Sequence, residues 1–304
     1  MKHAFAGLLA LILAGSAPAA FAADAVIVAS KIDTEGALLG NLILAALSAH
    51  GIAAQNRLEL GPTQIVRQAI LAGQIDLYPE YTGNGGIFFK SEANPVWHDA
   101  AKGYEQVKAL DAARNHLIWL APAPADNSWA IAVPRDFAAK NKLATLEDFA
   151  GYVNRGGRVK LAASAEFVDS PGALPAFEAA YGFHLARGQL LTLVGGDTSA
   201  TIRAAAEGIS GVNAAMAYAT DGALAALHLI VLADDKHAQT VYEPAPVIRE
   251  SVLAQHPPIP SILDPIFRSL TLDRLQQLNA AIAVEGEAAQ AVAERYLREQ
   301  GFVK

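Results

Sequence analysis

The feature that most constrains this chain is an internal repeat of a β-α-β-α-β pattern. Residues 159–164 resemble residues 26–30, and a Gly-Ala-Leu triplet follows each segment, at Gly172 and at Gly36. Two glycines 12 residues apart then bracket a second helix in each copy, at 61 and 73 and at 196 and 208. Strands alternating with helices predict βαβ units and a mainly parallel sheet. An Ala-rich α/β sequence can repeat itself by chance, but the matched glycines favour two lobes of one type.

Each copy ends on a strand that closes with a tyrosine, at Tyr81 and at Tyr218. Ligands of open parallel sheets bind beyond the carboxyl ends of the strands. Two facing lobes would therefore place the two tyrosines on opposite walls of one cleft. Since Pro79 cannot donate a ladder hydrogen bond, the third strand should end there and leave Tyr81 on a loop.

The fold class that follows is α/β, with two lobes, a central ligand cleft and a hinge made of two crossing segments. Pro122, Pro124 and Asp126 mark the first crossing, and residues 220–222 mark the expected return. The first lobe is then predicted to comprise 23–125 and 223–304, including a strand at 229–232, and the second lobe to comprise 126–222. Two crossings would allow closure by a modest rotation.

The first 22 residues have the pattern of a cleavable signal peptide. Lys2 precedes a short apolar run, and the segment ends on the small-residue motif Ala20-Phe21-Ala22. A buried N-terminal helix or a membrane anchor is the alternative, but the apolar run is shorter than the roughly 20 residues that a span requires. With no cysteine for lipid anchoring, we expect the mature chain to be exported as a free, soluble protein.

Charge and motifs exclude several classes of function. The net charge is −7, and the chain has no basic run, which argues against a nucleic-acid partner. Catalytic and nucleotide-binding motifs such as H-E-x-x-H, G-x-S-x-G and the P-loop are absent. The eight histidines have no metal-ligand spacing. The sequence therefore predicts neither an enzyme nor a metal or cofactor site.

Aromatic residues at strand ends and crossings are the remaining candidates, namely Tyr81, Trp129, Tyr218 and Tyr242. A quaternary ammonium cannot donate hydrogen bonds, so it depends on cation–π and apolar contacts, at about 0.5–2 kcal/mol per ring. Three or four such rings would hold a cation without a carboxylate. The alternative is that they are amphipathic residues that cap the core, which is our expectation for Tyr78.

The chain resembles the binding subunits of osmoprotectant ABC importers, which bind glycine betaine, choline and related quaternary amines. The resemblance covers the mature chain and rests on Ser30-Lys31 with Thr34-Glu35, and on the stretches 76–83, 217–222 and 234–237. It implies a periplasmic-binding-protein type II fold. It also implies that the partners are a membrane permease and a separate ATPase subunit.

The resemblance assigns site residues as well. Tyr81, Trp129 and Tyr218 match the aromatic cage of the family, and Tyr242 is a weaker match. Polar positions that line the family's site correspond to Lys31, Asn84 and Asn127. Lys31 would meet a ligand carboxylate, unless it is simply a solvated lysine.

Three departures from the family pattern leave the ligand open. Gly36 stands where some relatives have Gln, and Asn84 replaces the more usual Thr or Asp. The loop 166–171 lacks the Arg with which some relatives clamp a carboxylate, and losing a bidentate clamp weakens carboxylate recognition. The alternative ligand is a different small solute, such as an amino acid or another compatible solute.

Overall fold

The computed structural model describes residues 25–193 and 198–304, so the expected signal peptide and Gly196 lie outside the described residues. The strands are β1 (Val26–Lys31), β2 (Ala54–Gly61), β3 (Leu77–Tyr81), β4 (Leu117–Trp119), β5 (Trp129–Pro134), β6 (Leu161–Ser164), β7 (Leu190–Leu193), β8 (Ala214–Tyr218), β9 (Leu229–Val231) and β10 (Pro244–Arg249).

The helices up to the second crossing are α1 (Thr34–Ala49), α2 (Thr63–Leu71), α3 (Asn84–Phe88), α4 (Ala100–Asn115), α5 (Arg135–Asn141), α6 (Leu146–Asn154), α7 (Ala165–Asp169), α8 (Leu174–Tyr181), α9 (Thr198–Ala206) and α10 (Gly222–Ala226). The remaining helices are α11 (Glu250–Gln255), α12 (Ile259–Ser269), α13 (Leu272–Ala283) and α14 (Ala289–Glu299). Short 3₁₀ turns lie at Pro95–His98, Arg187–Gln189 and Ile209–Gly211. None of the helices in the described ranges combines the length and apolarity needed to cross a bilayer.

Two five-stranded sheets have the same topology. The first has the order β2-β1-β3-β10-β4 and the second the order β7-β6-β8-β5-β9. In each sheet three parallel strands are followed by one antiparallel strand, β10 or β5, and then by a short edge strand. Both β3 and β8 are five residues long and end on a tyrosine. The repeat seen in the sequence therefore corresponds to two lobes of one topology.

Helix α1 illustrates how the sequence builds the first lobe. The Asp33 carboxylate, rather than the expected Thr34 hydroxyl, caps the helix by accepting a 2.8 Å hydrogen bond from the Gly36 N–H. The apolar side chains at helical spacing are fully buried against β1 and the C-terminal helices; they are Leu38, Leu39, Leu42, Ile43, Ala46 and Leu47. A second cluster covers the other face of the same sheet. Since both faces are covered, the lobe has three layers.

The two crossing segments connect β4 to β5 and β9 to β10, and they lie side by side. The Asn127 N–H donates to the Tyr242 carbonyl at 3.1 Å, and the Ala123 N–H donates to the Pro244 carbonyl at 2.8 Å. The first of these segments, between β4 of the first sheet and β5 of the second, contains Pro122, Pro124 and Asp126. The predicted return at 220–222 is wrong, because β9 pairs with β5 in the second sheet. The sequence placed residues 223–304 in the first lobe, whereas strand β9 within that range belongs to the second.

The expected strand end at Pro79 is also wrong, since β3 continues to Tyr81. Pro79 lies opposite Pro246 of the antiparallel strand β10. Thr82 continues the same register and donates its N–H to the Glu243 carbonyl at 3.0 Å. Because antiparallel pairs alternate between bonded and non-bonded, the two prolines fall at a non-bonded pair and no ladder bond between these strands is lost. Tyr81 is therefore held within the sheet.

Candidate ligand-binding site

A cavity of about 850 Å³ lies between the two lobes, at the carboxyl ends of β1, β3 and β8. Ligand sites of this kind typically enclose about 300–1,000 Å³. Helix starts from both repeats face it, including Thr63 of α2 and Thr198 of α9. The structure brings together all seven residues that the sequence singled out, and each lines this cavity: Lys31, Tyr81, Asn84, Asn127, Trp129, Tyr218 and Tyr242.

Tyr81 lies on the first-lobe wall beside a buried carboxylate. Its phenol donates a 2.7 Å hydrogen bond to Glu35 Oε1. Burial and the neighbouring Glu35 charge raise the pKa of Tyr81 well above its ordinary value, so the phenol stays protonated and remains a donor. Tyr81 is 7% exposed. The ring is therefore fixed in the wall before any ligand arrives.

Glu35 is the centre of a polar cluster that joins several elements. Its carboxylate also accepts from Asn279 Nδ2 at 2.7 Å and from Asn127 Nδ2 at 3.4 Å. Burial raises the pKa of Glu35, while hydrogen bonds from Thr220, Tyr81 and Asn279 act in the opposite direction. The sequence interpretation expected rings without a carboxylate, so this acidic group is a difference from the prediction.

Lys31 is neither solvated nor free. It is 6% exposed, its Nζ lies 2.6 Å from Glu80 Oε1, and the same charge lies 4.4 Å from the centroid of the Tyr81 ring. Glu80 also accepts hydrogen bonds from Asn84 Nδ2 and from the Tyr81 N–H, both at 2.7 Å. Lys31 and Asn84 therefore share one buried anion, which already compensates much of the lysine charge.

Trp129 and Tyr218 form the aromatic part of the second-lobe wall. They are directly opposed in the β5–β8 ladder, and their rings stack at 6.4 Å with an interplanar angle of 24°. Phe167 holds the indole edge-on at 5.9 Å. Cationic groups in this chain lie 4.2–5.7 Å from the ring centroids they contact. A cation between two facing rings would need them to be about twice that contact distance apart. The rings of Trp129 and Tyr218, whose centroids are 6.4 Å apart, are too close for this, so they form adjoining parts of one wall.

Tyr242 belongs to the second crossing segment. Its N–H donates to Asp126 Oδ1 at 2.8 Å, and the Ser128 hydroxyl donates to the same oxygen and lies 2.6 Å from the Thr240 carbonyl. Burial raises the pKa of Asp126. The fourth aromatic residue is therefore tied to the hinge, so its position depends on how the lobes close. Tyr78, by contrast, is fully buried in the core of the first lobe, as the sequence predicted.

Several lining residues escaped the sequence interpretation. Glu35 belongs to the Thr34-Glu35 pair on which the family resemblance rests, but it was given no role in the site. Asn279, Gln239 and Arg203 stand in no motif that would have marked them as lining residues. Asn279 lies 244 residues from the carboxylate it contacts. Its Oδ1 and that of Asn127 are buried and have no hydrogen-bond partner among residues 25–193 and 198–304. Within those ranges, no group of three or more His, Asp or Glu residues could hold a metal ion.

The loop after Tyr218 fastens the second lobe to helix α13 of the first. Gln276 Nε2 donates to the Ala219 carbonyl at 2.6 Å, and Asn279 Nδ2 donates to the Thr220 carbonyl at 3.0 Å. Gly222 then starts α10 so close to α13 that a Cβ there would lie 2.6 Å from Ala280 Cα. These contacts position the loop that follows Tyr218 relative to the first lobe.

Comparison with known proteins agrees with this architecture. The chain is 56% identical over 300 residues to the glycine betaine-binding protein YehZ of Escherichia coli K12, covering 99% of this chain and 98% of that protein. It is 31% identical to a glycine-betaine-binding protein of Pseudomonas aeruginosa, covering 91% of this chain and 88% of the relative. The structure of apo YehZ superposes with a TM-score of 0.89 at 57% identity, covering 92% of this chain and 100% of that one.

A family model described as the substrate-binding domain of ABC-type glycine betaine transport systems matches residues 24–299. That match covers almost the whole chain, and the two-lobed type II periplasmic-binding-protein fold of the relatives is the fold described above. Proteins of this family are solute-binding subunits of ABC importers rather than enzymes. The chain belongs to the family of substrate-binding domains of ABC-type glycine betaine transport systems.

Proposed function

We propose that this chain captures a small quaternary amine osmoprotectant of the glycine betaine type and delivers it to an ABC permease. The observation that carries the proposal is the convergence of Tyr81, Trp129, Tyr218 and Tyr242 on one cavity beside the Glu35 carboxylate. Ring faces and a buried carboxylate both stabilise a cation that has lost its water. The relatives at 56% and 31% identity carry glycine betaine-binding names.

The cellular setting is part of the same proposal. Residues 1–22 act as a cleavable signal peptide, and the mature chain works in the periplasm as a soluble monomer. Closure about the two crossing segments traps the solute and creates the surface that the permease recognises. A separate ATPase subunit supplies the energy, since the family is that of ABC importers.

Isothermal titration of the mature chain with glycine betaine and choline tests the proposal. We expect both to bind, and we expect Trp129→Ala to weaken binding about 2- to 30-fold, because a ring face can be worth about 0.5–2 kcal/mol. Tyr152→Phe is a control, since Tyr152 does not line the cavity. Absence of binding heat and of thermal stabilisation with both amines would remove the quaternary amine assignment.

A second candidate ligand is a solute whose ammonium carries N–H groups, such as an amino acid. The observation that favours it is the pair of buried, unpartnered acceptors, Asn127 Oδ1 and Asn279 Oδ1. Both amides direct Nδ2 at Glu35, so their oxygens remain available to an N–H donor. Glycine and glycine betaine differ only in three N-methyl groups and form the matched pair of ligands. Tighter binding of glycine, or of proline, would select this second candidate.

A further inference from the structure

The charged residues that line the cavity are unequally distributed. Among the described lining residues the cationic ones are Lys31 and Arg203, and the acidic ones are Asp33, Glu35 and Asp221. Lys31 is compensated by Glu80 at 2.6 Å. Among the described lining residues, Arg203 is therefore the cationic side chain that no described acidic group compensates and that an anionic group entering the cavity could meet.

That side chain is Arg203, on helix α9 of the second lobe. It is exposed, and it forms no ion pair or hydrogen bond with any residue in 25–193 or 198–304. A guanidinium presents five donors in a planar fork that matches a carboxylate in two parallel hydrogen bonds. Arg203 is thus a donor group with no partner in the described part of the chain, and it lines a cavity whose other wall carries the buried Glu35 carboxylate.

The two walls of the cavity carry charged groups of opposite sign. Glu35 is 5% exposed and belongs to the first lobe, whereas Arg203 belongs to the second. A solute with a fixed positive and a fixed negative group would place its ammonium near Glu35 and Tyr81 and its carboxylate toward Arg203. Such a solute bridges the lobes, so each of its charges favours closure.

We propose that Arg203 is a specificity-determining residue that receives the carboxylate of a zwitterionic ligand from the second lobe. This inference rests on the proposed function, because it requires an ammonium-bearing solute in the same cavity. It also supplies a carboxylate partner that the loop 166–171 lacks. That loop is helix α7 and its flank, and it contains no arginine.

Titration calorimetry with glycine betaine and choline separates the role of Arg203 from binding in general, because both ligands carry trimethylammonium and only glycine betaine carries a carboxylate. We expect Arg203→Gln to weaken glycine betaine on the order of 10- to 100-fold, as for a charge-assisted bidentate pair, and to leave choline within about twofold. Arg203→Lys should lose part of that affinity, since it keeps the charge without the fork.

Arg135→Gln is the matched control, because Arg135 is an exposed helical arginine of the same lobe that does not line the cavity. It removes the same charge and should change neither affinity. Equal losses for both ligands in Arg203→Gln, or no loss for glycine betaine, would overturn the role of Arg203 while leaving the proposed function intact. If the unmodified chain binds neither ligand, both proposals fail.

Discussion

The phenol of Tyr81 donates a 2.7 Å hydrogen bond to the buried carboxylate of Glu35. One residue therefore offers an aromatic face to the cavity and, through its hydroxyl, orients the acidic group beside it. Lys31 lies 4.4 Å from the centroid of the same ring. Tyr81, the predicted cage residue of the first lobe, is thus part of a charged cluster rather than an isolated aromatic contact.

Separating the two roles of Tyr81 requires two substitutions. We expect Tyr81→Phe to keep ligand affinity within about tenfold, because the ring face remains. The same change should lower the free energy of unfolding by about 1.5–3 kcal/mol, since a charged acceptor loses a donor. Tyr81→Ala should abolish detectable binding. Titration calorimetry and urea unfolding measure the two effects, and equal loss of affinity in both variants would contradict a role for the ring.

The close approach of Gly222 to helix α13 predicts that the fit between the lobes controls affinity. In Gly222→Ala the new methyl group would lie 2.6 Å from Ala280 Cα, which is backbone and cannot move alone. Overpacking typically costs about 1–3 kcal/mol. If this strain is relieved by moving the loop after Tyr218 away from α13, we expect glycine betaine affinity to fall about 5- to 150-fold. Gly188→Ala is the control, since no atom lies within 4 Å of its Cβ position. Equal affinities in the two variants would show that this contact does not affect the site.

The hinge carries a carboxyl that titrates near neutrality. Burial, followed by the nearby Asp126 charge, raises the pKa of Glu243 from its usual 4.5 to about 7. A raised pKa means that the folded state binds the proton more tightly, so stability should fall as the pH rises from about 4.5 to about 7.

Replacing Glu243 by Gln tests this pH dependence. In the variant, the midpoint of urea unfolding should decrease less steeply with rising pH over the same range, because the amide that replaces the carboxyl does not ionise. Glu105→Gln is the control, since Glu105 is an exposed residue of α4. A slope in Glu243→Gln as steep as that of the unmodified chain would refute the assignment.

The buried ion pair of Arg67 and Asp111, neither of which lines the ligand cavity, predicts a stability effect without a binding effect. Arg67 is 5% exposed and Asp111 is fully buried, and Arg67 Nη1 lies 3.0 Å from Asp111 Oδ2. We expect Asp111→Asn to lower the free energy of unfolding by about 3–5 kcal/mol, because an uncompensated charge remains buried. Chemical denaturation measures this.

An exposed pair serves as the control for that stability effect. Lys102 Nζ lies 2.7 Å from Asp99 Oδ2, with both side chains well exposed. Asp99→Asn should change the unfolding midpoint little, since solvent screens the pair and the asparagine can still accept the Lys102 N–H at the start of α4. A comparably small effect at Asp111 would mean that water reaches the Arg67 charge.

Local sequence features predicted a large part of this fold. The paired glycines and the tyrosines that close β3 and β8 predicted two lobes of one topology, because strand and helix periodicity and their breaks are encoded over short stretches. Positions at strand ends and beside the crossings also pointed to the four aromatics that line the cavity in the described part of the chain. They did not predict that Pro79 lies within a strand, because whether a proline is tolerated depends on the register with β10.

The sequence by itself determined the repeat of alternating strands and helices and the residue types of the predicted cage. Only the tertiary structure decided that β9 joins the second sheet, that Lys31 pairs with Glu80, that Glu35 meets Asn279, and that Arg203 lines the cavity. The physical reason is that strand partners and charge partners are chosen by the packing of segments far apart in the chain, and no local propensity encodes that choice.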